Sequence, residues 1–241
     1  MHKLAVPFRL EQIETYGIDG FIKALHDSCA DTVFLSIGTY QVDKVKRKKI
    51  FESLRKNIEL LKKENFTVGV WLWTFMFDEG NGYTHIKSIN GEVIKEQVCP
   101  SDKDFCSFAY DYLVEVAKCQ PDMIMFDDDF RYGFLDCKFG CTCHNHRRYM
   151  EEISGEKLPE NLNDYILKGG SNKYRSAFLE ANGHFLKEFA CLMRKAVDSV
   201  NPKIRLGQCA CMSSFDFDGV NAFELSKILA GDTKPFCRLT Q

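Results

Sequence analysis

The stretch Met123-Ile-Met-Phe-Asp-Asp-Asp-Phe-Arg131 decides how the rest of the chain is read. An apolar run that ends in three acids describes a buried strand delivering carboxylates to the end of a sheet. Three adjacent carboxylates repel one another and resist burial as anions, so neutral or partnered forms are favoured. Such a cluster suits proton transfer, in which a positioned carboxylic acid works beside a carboxylate. Within fifteen residues follows Cys141-Thr-Cys143-His144-Asn-His146, a set of soft ligands crowded into the same loop.

Working outward, similar runs recur along the chain. Residues 4–8, 32–37, 68–75, 123–127, 204–211 and 235–239 read as strands, and their nearly continuous apolar character suits burial on both faces of a parallel sheet. Helical patterns lie between them. Ile50, Leu54, Ile58 and Leu61 form a stripe in a Lys/Glu-rich segment. Ser101-Asp-Lys-Asp104 resembles a capping box ahead of Phe105, Phe108 and Tyr112. Phe178, Phe185, Phe189 and Met193 belong to a long helix closed off by Asn201-Pro202. These stripes are core faces rather than cofactor boxes.

Repeated βα units define an α/β fold with parallel strands. Pro7-Phe8-Arg9 stands where a glycine-rich phosphate loop would follow the first strand, which disfavours a dinucleotide-binding fold. A TIM-type (β/α)8 barrel fits better, because the loops after several strands are long, polar and aromatic, and such loops form the active face of that barrel. Six strands are counted rather than eight. The expectation is therefore a single barrel domain over 1–241, truncated after about six strands and equivalent to the first three-quarters of a longer barrel. Its open edges would call for a C-terminal remainder or an oligomer partner.

Composition excludes several classes. The chain has 241 residues, enough for one large core, and a formal net charge of −2, which argues against a nucleic-acid partner held by bulk electrostatics. The one basic run, Lys44 to Lys49, reads as a solvated helix face. No apolar run has the length of a membrane span, and Met1-His-Lys-Leu-Ala-Val-Pro shows no signal peptide, so a cytoplasmic location without membrane contact is expected. Eleven cysteines are many, but the number is odd, and free thiols with metal ligation are expected over a disulfide framework.

On the fourth predicted strand, alternation sends Asp127 and Asp129 one way and Asp128 the other, although twist at the strand end loosens the rule. A carboxylate pair can serve as acid and nucleophile in glycoside hydrolysis. Phe126-Asp-Asp-Asp-Phe-Arg-Tyr-Gly133, with the Cys/His loop and the long helix after it, resembles the strand-four region of barrel glycoside hydrolases, the family 42 β-galactosidases in particular. A bacterial group of glycosidase-like barrels with its own Asp-Asp-Asp-Phe-Arg signature is also similar. In family 42 an Asn-Glu pair ends strand four, its Glu is the general acid/base, and a nearby Cys-rich loop holds zinc. The resemblance places Asp128 on the Asn and Asp129 on the Glu, and so implies Asp129 as proton donor at the barrel mouth and Asp128 as the residue that orients it or the substrate. The shorter acid and the extra charge depart from the family pattern. The family's nucleophile comes from strand seven, which is not among the strands read here.

Cys137-x3-Cys141-x-Cys143-x2-His146 offers three thiolates and an imidazole, the donors zinc prefers and enough to close a tetrahedral structural site. Cys99 or Cys209 can replace Cys137 as the fourth ligand, and His144 is an alternative to His146. The competing reading is a set of reduced, unliganded thiols. Other strand ends carry Arg9, Trp73, Arg131 (counter-ion to the acids), Asp216 and Asp218, a mixture of aromatic faces and charged groups suited to a carbohydrate. Three functions follow. The first is a glycoside hydrolase-like enzyme with a carbohydrate substrate. The second is a non-catalytic carbohydrate-binding or scaffold barrel. The third is a metal-dependent hydrolase in which the Asp127–Asp129 cluster binds a divalent ion that activates water.

Overall fold

The computed structural model describes residues 4–77, 82–132, 140–211 and 217–240. In chain order the elements are β1 (Ala5–Arg9), α1 (Leu10–Tyr16), α2 (Ile18–Asp27), β2 (Thr32–Gly38), α3 (Lys44–Lys63), β3 (Thr67–Leu72), β4 (His85–Lys87), β5 (Val93–Val98), α4 (Lys103–Lys118), β6 (Met123–Phe126), α5 (His144–Ser154), α6 (Leu162–Leu167), α7 (Lys173–Asp198), β7 (Arg205–Cys211), α8 (Ala222–Ala230) and β8 (Cys237–Thr240). Six strands pair in parallel in the order β1-β2-β3-β6-β7-β8, and the sheet curls into a half-barrel with helices outside it. The strands predicted from the apolar runs are these six.

Alternation along the strands sorts their side chains onto two faces. Val33 and Leu35 of β2, Val68, Val70 and Leu72 of β3, Ile124 and Phe126 of β6, and Leu206 of β7 are buried in the main core with the helices. The other face forms a separate inner cluster of Phe34, Met125 and Cys209, against which Trp71, Met123 and Phe236 pack. The inner packing is tight around Phe34. A Cβ built on Gly69 would lie 2.4 Å from its ring. Gly69→Ala should therefore lower stability by about 1–3 kcal/mol through overpacking, read as a lower urea midpoint with an unchanged slope.

On the outer layer, the basic run of α3 lies on a largely exposed face, as expected, with Asp43 capping the Val45 and Lys46 amides at 2.9 Å. The predicted stripe is its inner face, where Leu54, Ile58 and Leu61 are buried. The cap of α4 is Asp102, whose carboxylate accepts from Phe105 N, rather than Ser101. Ser101 turns its hydroxyl toward Cys99 instead.

Two departures from the sequence reading matter for the site. First, β3 stops at Leu72 rather than running to Phe75, because the Thr74, Phe75 and Met76 amides leave the ladder and turn onto Asp129. Second, β4 and β5 form an antiparallel hairpin that the apolar runs do not predict. Its tight turn runs through Asn90-Gly91, with Gly91 at φ 84°. At three residues, β4 is too short to announce itself. All ten described cysteines are free thiols. No helix among the described residues is long and apolar enough to cross a membrane.

Candidate functional site

Met123 and Met125 belong to the inner cluster of the half-barrel, and the same alternation carries Asp127, the first residue past β6, to the inner side at the C-terminal mouth. Its amide prolongs the β3 ladder by donating to Leu72 O at 2.9 Å. The side chain joins Arg9, Ser36, Lys49, Trp71 and Trp73 around a cavity of about 700 Å3. Burial pushes its carboxyl up from the usual range, against the pull of the Asp128 amide, Trp71 and Arg238, and Asp128's charge adds to the rise. An acid in that condition holds a proton more readily than a free aspartate, which is what a proton donor requires.

The other two acids are placed differently. Asp129 was expected at the barrel mouth and is instead wholly buried. Its carboxylate accepts from the amides of Thr74, Phe75 and Met76 at 2.6–2.9 Å. The chain turns sharply after Asp127, so strand alternation no longer governs Asp129, and the loop leaving β3 closes over it. Burial pushes its carboxyl up to about 6 despite those three donors. Asp128 is half-buried and lines a small crevice with Arg131, Gln208 and Asp218. Arg131 donates its Nε–H to the backbone oxygen of Asp128 at 2.9 Å, and its charge pulls the Asp218 carboxyl down. Burial of Asp218 outweighs that and pushes it up to about 7.

The proposed carbohydrate contacts are thus divided. Arg9 and Trp73 share the large cavity with Asp127, Arg131 and Asp218 share the crevice with Asp128, and Asp216 lies outside the described residues. The Asp129 oxygens accept from three backbone amides, and a divalent ion bridging Asp127 and Asp129 would compete with those donors.

The soft ligands do come together. Cys99 follows β5, Cys141 and Cys143 precede α5, and His146 lies on the first turn of that helix. All four are buried, and their ligand atoms lie within 4.8 Å of one another. A tetrahedral centre with metal–sulfur bonds of about 2.3 Å and a metal–nitrogen bond near 2.0 Å would have S···S edges of about 3.8 Å and S···N edges of about 3.5 Å. Cys99 Sγ lies 3.7 Å from both Cys141 Sγ and Cys143 Sγ. His146 Nδ1 lies 3.6 Å from Cys99 Sγ and 3.3 Å from Cys143 Sγ. The edges match a metal ion's coordination sphere. Burial pushes the Cys99 and Cys141 thiols up, whereas hydrogen bonds from the Cys141 and Cys99 thiols hold Cys143 well below the ordinary thiol range.

Of the alternatives left open by spacing, Cys99 completes the cluster. Cys209 sits in the inner barrel layer under Arg238, 3.2 Å from its guanidinium, and His144 is exposed. Cys137 lies outside the described residues. Two residues the sequence reading did not single out surround the cluster, Tyr132 and Asn182. A buried asparagine in the apolar stripe of α7 was the available signal.

No protein-family model matches the chain, and no curated protein does. Solved structures match over nearly its whole length. The β-galactosidase of Bacillus circulans sp. alkalophilus superposes with a TM-score of 0.66 at 16% identity, over 99% of this chain and 40% of that one. Those of Halorubrum lacusprofundi and Marinomonas ef1 both superpose at 0.68, with 13% and 12% identity, over 100% of this chain and 40% of each. The chain spans about 40% of the length of these relatives. At such identities the likeness is one of fold. The protein has a glycosidase-like (β/α)-barrel fold, with six strands in parallel and a buried Cys3His cluster able to hold a metal.

Proposed function

We propose that the chain is part of a glycoside hydrolase-like enzyme acting on a carbohydrate by carboxylate acid/base catalysis, with Asp127 transferring the proton. The observation that carries this is the placement of one carboxylate, its proton affinity raised by burial, on the inner side of the sheet, at its C-terminal mouth, in a cavity walled by Trp71 and Trp73. Tryptophan faces stack on sugar rings, and Arg9 and Ser36 beside them can hydrogen-bond to hydroxyls. Asp128 and Arg131 shape the segment that carries Asp127, and Asp129 anchors it from behind. In this reading the edges of β1 and β8 receive further strands, from a C-terminal remainder or an oligomer partner, and the second carboxylate arrives with them or from Asp218.

We also read the Cys3His cluster as a structural zinc site held by Cys99, Cys141, Cys143 and His146. Zinc there would supply no reaction chemistry, since four protein ligands leave no open position. It would staple the β4–β5 hairpin to α5 next to the acid-bearing segment.

The test uses the protein expressed from its complete reading frame and two kinds of glycoside. Asp127→Asn should lower turnover of alkyl glycosides, which have poor leaving groups, by about 10²–10⁴-fold. Aryl glycosides with nitrophenolate leaving groups need little proton assistance and should suffer far less. The same split produced by Asp129→Asn, with Asp127→Asn silent, would give the donor role to Asp129. Sugar binding without turnover of either kind would make the barrel a carbohydrate-binding module.

A further inference from the structure

Tyr132 closes the segment that begins at Asp127, and its side chain reaches the Cys/His cluster. The residue is buried, and its hydroxyl lies 3.1 Å from both Asn182 O and His146 Nε2. A carbonyl oxygen only accepts, so the hydroxyl hydrogen goes to Asn182 and the hydroxyl oxygen is left to accept from His146. His146 then carries its proton on Nε2 and leaves Nδ1 bare. Nδ1 is the nitrogen that faces the sulfurs of Cys143 and Cys99, so the tautomer a metal requires is selected from outside the donor set. Asn182 of α7 serves both halves of the cluster. Its side-chain oxygen accepts from Cys141 N at 2.7 Å, and its amide donates to Phe178 O at 2.7 Å.

The backbone of Tyr132 faces the acids. Its N–H donates to Asp218 at 3.4 Å. The segment behind it folds on itself, with Phe130 N donating to Asp127 O at 3.2 Å and Arg131 N to Asp129 O at 2.8 Å. One residue therefore ends the acid segment and orients a metal ligand. We propose that Tyr132 is a positioning residue that holds His146 with Nδ1 toward the metal and ties occupancy of that centre to the conformation of the segment from Asp127 to Arg131. This rests on the reading of the cluster as a zinc site.

Nitrogen-15 spectra of histidine-labelled, zinc-loaded wild type test the first half without any variant. Nε2 should be protonated and Nδ1 metal-bound, and ligation through Nε2 would overturn the inference. Tyr132→Phe keeps the ring and removes the hydroxyl. Zinc affinity, measured by competition with a chelator, should fall about 10–100-fold, and the visible spectrum of the cobalt-loaded variant should shift. Amide exchange at Phe130, Arg131 and Tyr132 should be slowed by zinc in the wild type and become indifferent to it in the variant. A variant with affinity within about twofold of wild type and zinc-sensitive exchange would make Tyr132 a packing residue and overturn the proposal. A wild type that takes up neither zinc nor cobalt would overturn the zinc reading and this inference with it, whereas the preceding outcomes remove this inference alone.

Discussion

Asp129→Ala is expected to destabilise the protein by upward of about 3 kcal/mol at neutral pH, since each orphaned buried donor costs about 1–3 kcal/mol. The carboxylate accepts from the amides of Thr74, Phe75 and Met76, and the first two bonds are fully buried. For a chain of this size, that corresponds to a fall in Tm of roughly 6–12 °C. Asp129→Asn should fall between, because one carbonyl oxygen still accepts while the amide group confronts the same donors. The pair also has a pH signature. Burial raises the folded carboxyl to about 6 from 3.8, so the native chain binds this proton more readily than the unfolded chain. The contribution of Asp129 is therefore largest below about pH 4 and declines by about 3 kcal/mol as pH rises through 6. Urea unfolding of wild type and Asp129→Asn at about pH 4 and pH 7.5 measures this directly, and a stability difference that stays constant across the range contradicts it.

Substituting both Cys141 and Cys143 by serine should reduce bound zinc from close to one per chain to near none and lower Tm by at least about 10 °C, because the free energy of forming such a site is folding free energy. Cys99→Ser should also lose the metal, which separates this ligand set from one completed elsewhere. Chelation should lower the Tm of the wild type and leave that of the double variant unmoved. An unchanged melting curve in the double variant, with stoichiometric free thiols and no zinc in the wild type, would leave the cluster as packed thiols.

The barrel was legible because the four central strands, β2, β3, β6 and β7, are largely buried on both faces, and nearly continuous apolar runs such as Thr32-Val-Phe-Leu and Met123-Ile-Met-Phe have few other solutions. The hairpin was not. Val93-Ile-Lys-Glu-Gln-Val98 is half polar, and β4 is stabilised by its partner rather than by its own composition. That omission bore on the metal cluster, because the hairpin carries Cys99 across a gap of more than forty residues to Cys141. Spacing near the loop favoured Cys137, and only tertiary structure could bring Cys99 to its place. The acids show the same limit. Residue type and strand period marked the segment correctly, but alternation ceases to apply once the backbone turns, and Asp129 went to the amides that β3 released rather than to the mouth. The pairing of Tyr132 with His146 likewise spans two elements and leaves no local pattern.

Both tryptophans of the chain, Trp71 and Trp73, border the cavity that Asp127 lines, and the guanidinium of Arg238 lies 5.0 Å from the Trp71 ring. Excited at the red edge of the aromatic band, where tyrosine is dark, the protein emits from this cleft and nowhere else. Its intrinsic fluorescence is thus a built-in optical probe of occupancy, insensitive to ligands that settle on distant surfaces. A panel of saccharides can be ranked by emission shift and quenching on unlabelled protein before any hydrolytic assay exists.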